Sequence, residues 1–172
     1  MDDGARPAAY PGTMCRMTVP AADAGAKHPL ATWLRARVAE LRATTQRRNF
    51  PGTVELVSPA APARTVPLAA WRYGTEPSDH GLRVDVLVRL LTDCRSRRDT
   101  GSRDTGPLSL VHVRPGHHEP ADIDLGWAAA STVAGAVAGV EIATVVTLSR
   151  WGWYDLRTGQ QRTWVRLRAR QP

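Results

Sequence analysis

Residues 108–113, Leu-Ser-Leu-Val-His-Val, are rich in branched apolar side chains and read as a strand, which Pro115 and Gly116 bring to a stop. A helix is expected over residues 122–139. Its small residues, Ala128 to Ala130 and the stretch from Ala134 to Ala138, suit close packing against a sheet, and Gly139 is a natural stop. Residues 141–148, rich in Val, Ile and Thr, read as the next strand. Strand, loop, helix and strand in this order place the chain among sheet proteins with packed helices.

The rest of the chain fits the same class. Leu30, Trp33, Leu34, Val38 and Leu41 recur at helical spacing and predict an amphipathic helix over residues 30–47, closed by Arg47 and Arg48 and broken by Pro51 and Gly52. Strands are expected at 53–57 and 68–73. The apolar run 82–95 reads as a buried helix, and 95–106 as a solvated loop. After residues 150–157, the turn Thr158-Gly159-Gln160 leads into a last strand over 161–170. The expected fold is α/β or α+β: a mixed sheet with flanking helices and a C-terminal antiparallel hairpin. Residues 29–172 read as one domain. Residues 1–28, rich in Ala, Pro, Gly and Asp without a period, read as a disordered tail.

Composition narrows the setting. The net charge is +7 and Lys27 is the only lysine, so the basic character is arginine. Codon bias explains such enrichment, yet a basic chain is drawn to nucleic acid whatever the origin of its charge. Cys15 falls in the tail and Cys94 in the apolar helix, with no paired-cysteine motif, which fits a buried thiol in a reducing cytoplasm. Glu141 and many small residues interrupt the weakly polar stretch 125–148, so no membrane span is expected.

Between strand and helix, residues 112–124 hold three histidines and three carboxylates. Open sheets of this class place their sites at such a junction. His112, His117, His118, Glu119 and Asp124 are donor types suited to zinc. The same residues have a purely structural reading: Asp122 as a helix N-cap, Glu119 and Asp124 favoured by the helix dipole, and His112 on the opposite sheet face from Val111 and Val113.

The order strand, His112-x-x-Pro115-Gly116, Pro120-x-Asp122-x-Asp124, helix, Gly139-Val-Glu-Ile142, Gly152-Trp-Tyr-Asp-Leu-Arg157 resembles the C-terminal part of the JAB/MPN superfamily in its RadC-like branch, over residues 108–158. The resemblance implies His112 as the first zinc ligand and Asp124 as the carboxylate ligand. Arg114 stands where the family has its second histidine and Ala121 where it has serine. The loop is one residue short, and Glu55 is the only strand candidate for the family's catalytic glutamate. A guanidinium cannot ligate zinc, because it offers no lone pair. The departures imply a degenerate, non-catalytic domain.

A second surface lies in the last strand. By alternation, Arg162, Trp164, Arg166, Arg168 and Arg170 share one face, flanked by Arg150 and Trp153. Arginines with a tryptophan suit phosphate tracking and base stacking. The plainer reading is a solvated sheet face or a dimer contact. Three functions follow: a basic JAB-like binding or scaffold module near DNA or RNA, a metal-dependent hydrolase using the 112–124 loop, and a homodimeric interaction domain. The first is preferred. Whether the chain is an enzyme stays open at this level, and the cofactor is none or zinc.

Overall fold

The computed structural model describes residues 27–45, 50–59, 66–74, 79–99 and 107–164, apart from the side chains of 97–99. In chain order the elements are α1 (Ala31–Thr44), β1 (Thr53–Val57), β2 (Ala69–Arg72), α2 (His80–Asp99), β3 (Leu108–Val113), α3 (Asp122–Ala138), β4 (Ile142–Leu148), β5 (Gly152–Asp155) and β6 (Gln161–Thr163). The expected mixed sheet with flanking helices and a terminal hairpin is present. Its strand order is β2-β1-β3-β4-β5-β6. Only β3 and β4 are parallel, joined by α3; the other neighbours are antiparallel. A parallel pair needs such a crossover, and the helix between the two strands supplies it.

Strand alternation assigns the two sheet faces. Val54, Leu56, Leu108 and Leu110 pack beneath α2 and α3 with Leu87, Leu91, Trp127 and Ala134. Val57, Val111, Val113, Val146 and Leu148 face α1 and its Trp33, Leu34 and Val38. A central strand covered on both faces is apolar along its whole length, and all six residues of β3 are buried. Gly135 permits the close approach of α3: a Cβ there would lie 2.9 Å from the Val140 carbonyl oxygen. Gly139 then ends the helix in the left-handed region at φ 64°.

Four boundaries differ from expectation. Helix α2 continues to Asp99, through residues expected to form a loop. Strand β6 ends at Thr163, and residues 165–170 of the expected strand lie outside the described residues. Helix α1 ends at Thr44, and residues 46–49 also lie outside them. His28, expected in the tail, is buried against the Trp153 ring, with Nε2 3.2 Å from Asp155 Oδ2. Residues 1–26, and Cys15 with them, are outside the described residues, whereas Cys94 is a buried free thiol. Among the described residues no helix is long and apolar enough to cross a membrane.

Candidate functional site

The register brings four segments to one end of the sheet. Thr53, at the start of β1, pairs with Val113 at the end of β3. Tyr73, just after β2, donates its N–H to the Gly52 carbonyl. The β4–β5 turn is at the same end, because β4 runs parallel to β3. The carboxyl end of β3 is therefore ringed by Tyr73, the 114–121 loop, the start of α3 and the 149–152 turn.

At the centre is Asp124, fully buried on the first turn of α3. His112 Nδ1 lies 2.7 Å from Asp124 Oδ1. Arg114 Nε donates to both carboxylate oxygens at 3.0 Å, and Nη2 donates to Oδ2 at 2.7 Å. The Ala121 N–H donates to Oδ2 at 2.9 Å, so Asp124 caps the helix from its third position. Asp122, the residue expected to cap, is exposed, and Ala121 occupies the cap position without a side chain to contribute. Burial alone would raise the Asp124 pKa. Hydrogen bonds from His112 and Arg114, with the charge beside them and the Ala121 amide, bring it down to about 2.

That ionised carboxylate fixes the histidine tautomer. A carboxylate only accepts, so His112 Nδ1 must carry a proton toward it. In the neutral ring Nε2 is then an acceptor, and the Tyr73 hydroxyl is 2.7 Å away to donate. His112 and Arg114 are two residues apart and reach the same carboxylate from the end of one strand. Arg114 also holds the loop. Its Nη1 donates to the carbonyls of Pro115 at 3.1 Å and His117 at 2.9 Å, and its Nη2 donates to that of Glu119 at 2.7 Å. All five guanidinium protons have acceptors. Trp127, also fully buried, lines the site 6.0 Å from the His112 ring, and Arg83 sits over the indole at 5.9 Å.

The five candidate metal ligands do not converge. His112 and Asp124 meet, but His117 and Glu119 are exposed on the loop. His118 is buried elsewhere, against Gly152, with Thr163 Oγ1 3.3 Å from its Nε2. Its pKa is lowered by burial and by the charges of His117 and Arg114, against the pull of Glu119. Among the described residues no three His, Cys, Asp or Glu side chains are grouped to hold a metal ion. Glu55, the candidate catalytic glutamate, is on the wrong face. Val54 is opposite His112, whereas Glu55 is opposite Val111 and faces α1. There it accepts from Arg37 Nε at 3.0 Å and Nη2 at 2.5 Å, and burial raises its pKa against that pairing. The residues present do not fit zinc: both His112 nitrogens are engaged, and a guanidinium already covers both Asp124 oxygens.

The expected nucleic-acid face is also rearranged. Trp153 and Trp164 are buried in the cluster under α1, so neither offers an open ring. Trp153 is opposite Arg162 in the register and Trp164 N–H still donates to the Trp151 carbonyl, so Arg162 and Trp164 share a face as alternation requires, but that face is the one covered by α1 at Trp164. Arg162 is exposed, Arg150 is half-buried, and Arg166, Arg168 and Arg170 lie outside the described residues. The exposed tryptophan is Trp151, between the expected flanking residues Arg150 and Trp153. Tyr73 was missed as well, because a strand-end tyrosine carries no signal until β2 is known to pair with β1. No family model, curated protein or solved structure matches this chain.

Proposed function

We propose that the chain is a non-catalytic, basic binding module on a JAB-like frame, associated with nucleic acid. The observation that carries the non-catalytic reading is the closed chain Tyr73–His112–Asp124–Arg114, in which the two retained ligand-type side chains are fully engaged by protein groups. A guanidinium stands where a metal-dependent site needs a cation with open coordination positions. The order of strand, loop and helix, with His112 and Asp124 meeting between them, supports the JAB-like frame. The net charge of +7 supports a polyanionic partner.

The test is a titration of the full chain against a fluorescently labelled single-stranded oligonucleotide at rising salt. Binding that weakens linearly in log–log form is expected, since phosphate contacts release counterions. Absence of binding at low salt removes the nucleic-acid reading.

A further inference from the structure

Independently of the nucleic-acid reading, we infer that the outer face of α3, flanked by α2, is the contact through which two copies of this chain pair about a two-fold axis. A surface helix carries charged or polar side chains on the face turned from the core, and a helix apolar on every side is one that is covered. Residues 125–140, which hold all but the start of α3, include no charged side chain and no histidine. Trp127, Ala130, Ser131 and Ala134 are buried on the core side. On the opposite side Leu125, Ala129, Val133 and Val137 follow one another at every fourth position and are exposed, Leu125 at 54%, Val133 at 44% and Val137 at 67%. Thr132, exposed beside them, donates its hydroxyl to the Ala128 carbonyl at 3.3 Å, so covering this face leaves no hydroxyl without a partner.

The stripe is complementary to itself, as a two-fold contact requires. Two copies of α3 laid antiparallel, with the axis level with Ser131, set Leu125 against Val137 of the second copy and Ala129 against its Val133. The small side chain of Ala129 lets the helices approach closely. The second helix fits the same axis. Arg83, in the first turn of α2, lies against Gly126 and over Trp127, so α2 and α3 run side by side in one direction, and Ser131 is level with about Val88. Asp85 and Arg89, both exposed, stand on either side of that level. The axis therefore sets Arg89 against Asp85 of the second copy, twice in each dimer, and opposite charges so placed fix the register. Within one copy Arg89 has only a loose contact with Asp93, at 3.8 Å. Each copy carries a net charge of +7, and the uncharged surface of α3 lets two such copies meet without opposing cations. A helix of 17 residues is about 25 Å long, and two side by side are about 20 Å wide. The layer covers about 500 Å² on each copy, about 1,000 Å² in all, which reaches the lower end of specific interfaces.

The experiment is sedimentation-velocity ultracentrifugation of the full chain across the micromolar range. Wild type is expected to pass from monomer to dimer as concentration rises, with a dissociation constant in that range. Val133→Glu buries two unpaired carboxylates in each dimer and is expected to raise the constant more than about a hundredfold. Asp85→Arg and Arg89→Asp each set like charges against one another and are expected to raise it about tenfold. An equimolar mixture of these two variants restores both opposite-charge pairs and is expected to associate like wild type, a rescue that a folding defect does not give. Wild type that stays monomeric throughout overturns the inference. So does a dimer that Val133→Glu leaves unchanged, because it pairs through another face. A monomer whose melting temperature falls in Val133→Glu has this face covered by its own chain, which overturns the inference as well. Single variants that weaken the dimer without recovery in the mixture overturn the antiparallel register.

Discussion

Arg114 and Asp124, one at the end of β3 and the other in the first turn of α3, are locked through both carboxylate oxygens, with Nη2 to Oδ2 at 2.7 Å and Nε 3.0 Å from each oxygen. The pair fixes the loop between them as firmly as it fixes the helix start, because the remaining guanidinium protons hold three loop carbonyls.

Removing only the cation is therefore expected to be severe. Arg114→Met leaves a carboxylate buried without its charge partner, a change that typically destabilises by about 3–5 kcal/mol. The double variant Arg114→Met/Asp124→Leu removes both charges and is expected to be more stable than the single variant. Urea denaturation of the four members of the cycle reads the coupling; strictly additive effects would show that the two residues act independently.

Acid stability carries the same signature. The folded Asp124 pKa of about 2 lies below the ordinary aspartate value of 3.8. A depressed carboxylate contributes stability that is fully present above the unfolded value and disappears as pH falls through the folded one. The loss is expected between pH about 4 and about 2, and amounts to about 2 kcal/mol. Asp124→Asn should be less stable at pH 7 and show a shallower decline over that interval. An unchanged slope in the variant's pH–stability curve would assign the acid transition to other groups.

Gly52 lies under the Tyr73 ring, where an added Cβ would overlap the ring's outer atoms. Gly52→Ala is expected to push the ring aside and break the Tyr73–His112 hydrogen bond. Tyr73→Phe removes the same bond directly and leaves Nε2 of a buried histidine without a partner, at about 1–3 kcal/mol. Because both act on one bond, the double variant should destabilise by clearly less than the sum, measured as denaturation midpoints at constant slope.

On the opposite sheet face, Arg37 and Glu55 test a second buried pair. Arg37→Met leaves Glu55, fully buried, without its cation and is expected to destabilise by about 3–5 kcal/mol at pH 7. Burial already raises the Glu55 pKa. A carboxyl raised in the folded state favours folding below its unfolded pKa and loses that advantage as pH rises through the folded value. The Arg37→Met variant should accordingly recover part of its loss on acidification from pH 7, as Glu55 takes a proton. Thermal melts at pH 7 and after acidification show this, and a variant that loses stability in parallel with wild type contradicts it.

Much of this fold is visible in the sequence, because its elements carry strong local signals. Leu30, Trp33, Leu34, Val38 and Leu41 mark the buried stripe of α1, and Pro115 with Gly116 ends β3 close to where the strand stops. The site was legible only in its local part. His112 and Asp124 stood out because the strand–loop–helix order brings them together over twelve residues. Tyr73 depends on the β1–β2 pairing, and Glu55 was misplaced because only the register shows Val54, not Glu55, opposite His112. The buried state of Trp153 and Trp164 depends on α1 covering that end of the sheet, a long-range contact with no local sequence signal.

The most direct measurement of the non-catalytic reading is zinc stoichiometry by native mass spectrometry, on full-length protein stripped with chelator and then supplied with equimolar zinc. The expected result is metal-free chain, since zinc would have to displace Tyr73 from His112 and Arg114 from Asp124. One zinc per chain, lost in His112→Ala, would contradict it and return the site to metal chemistry.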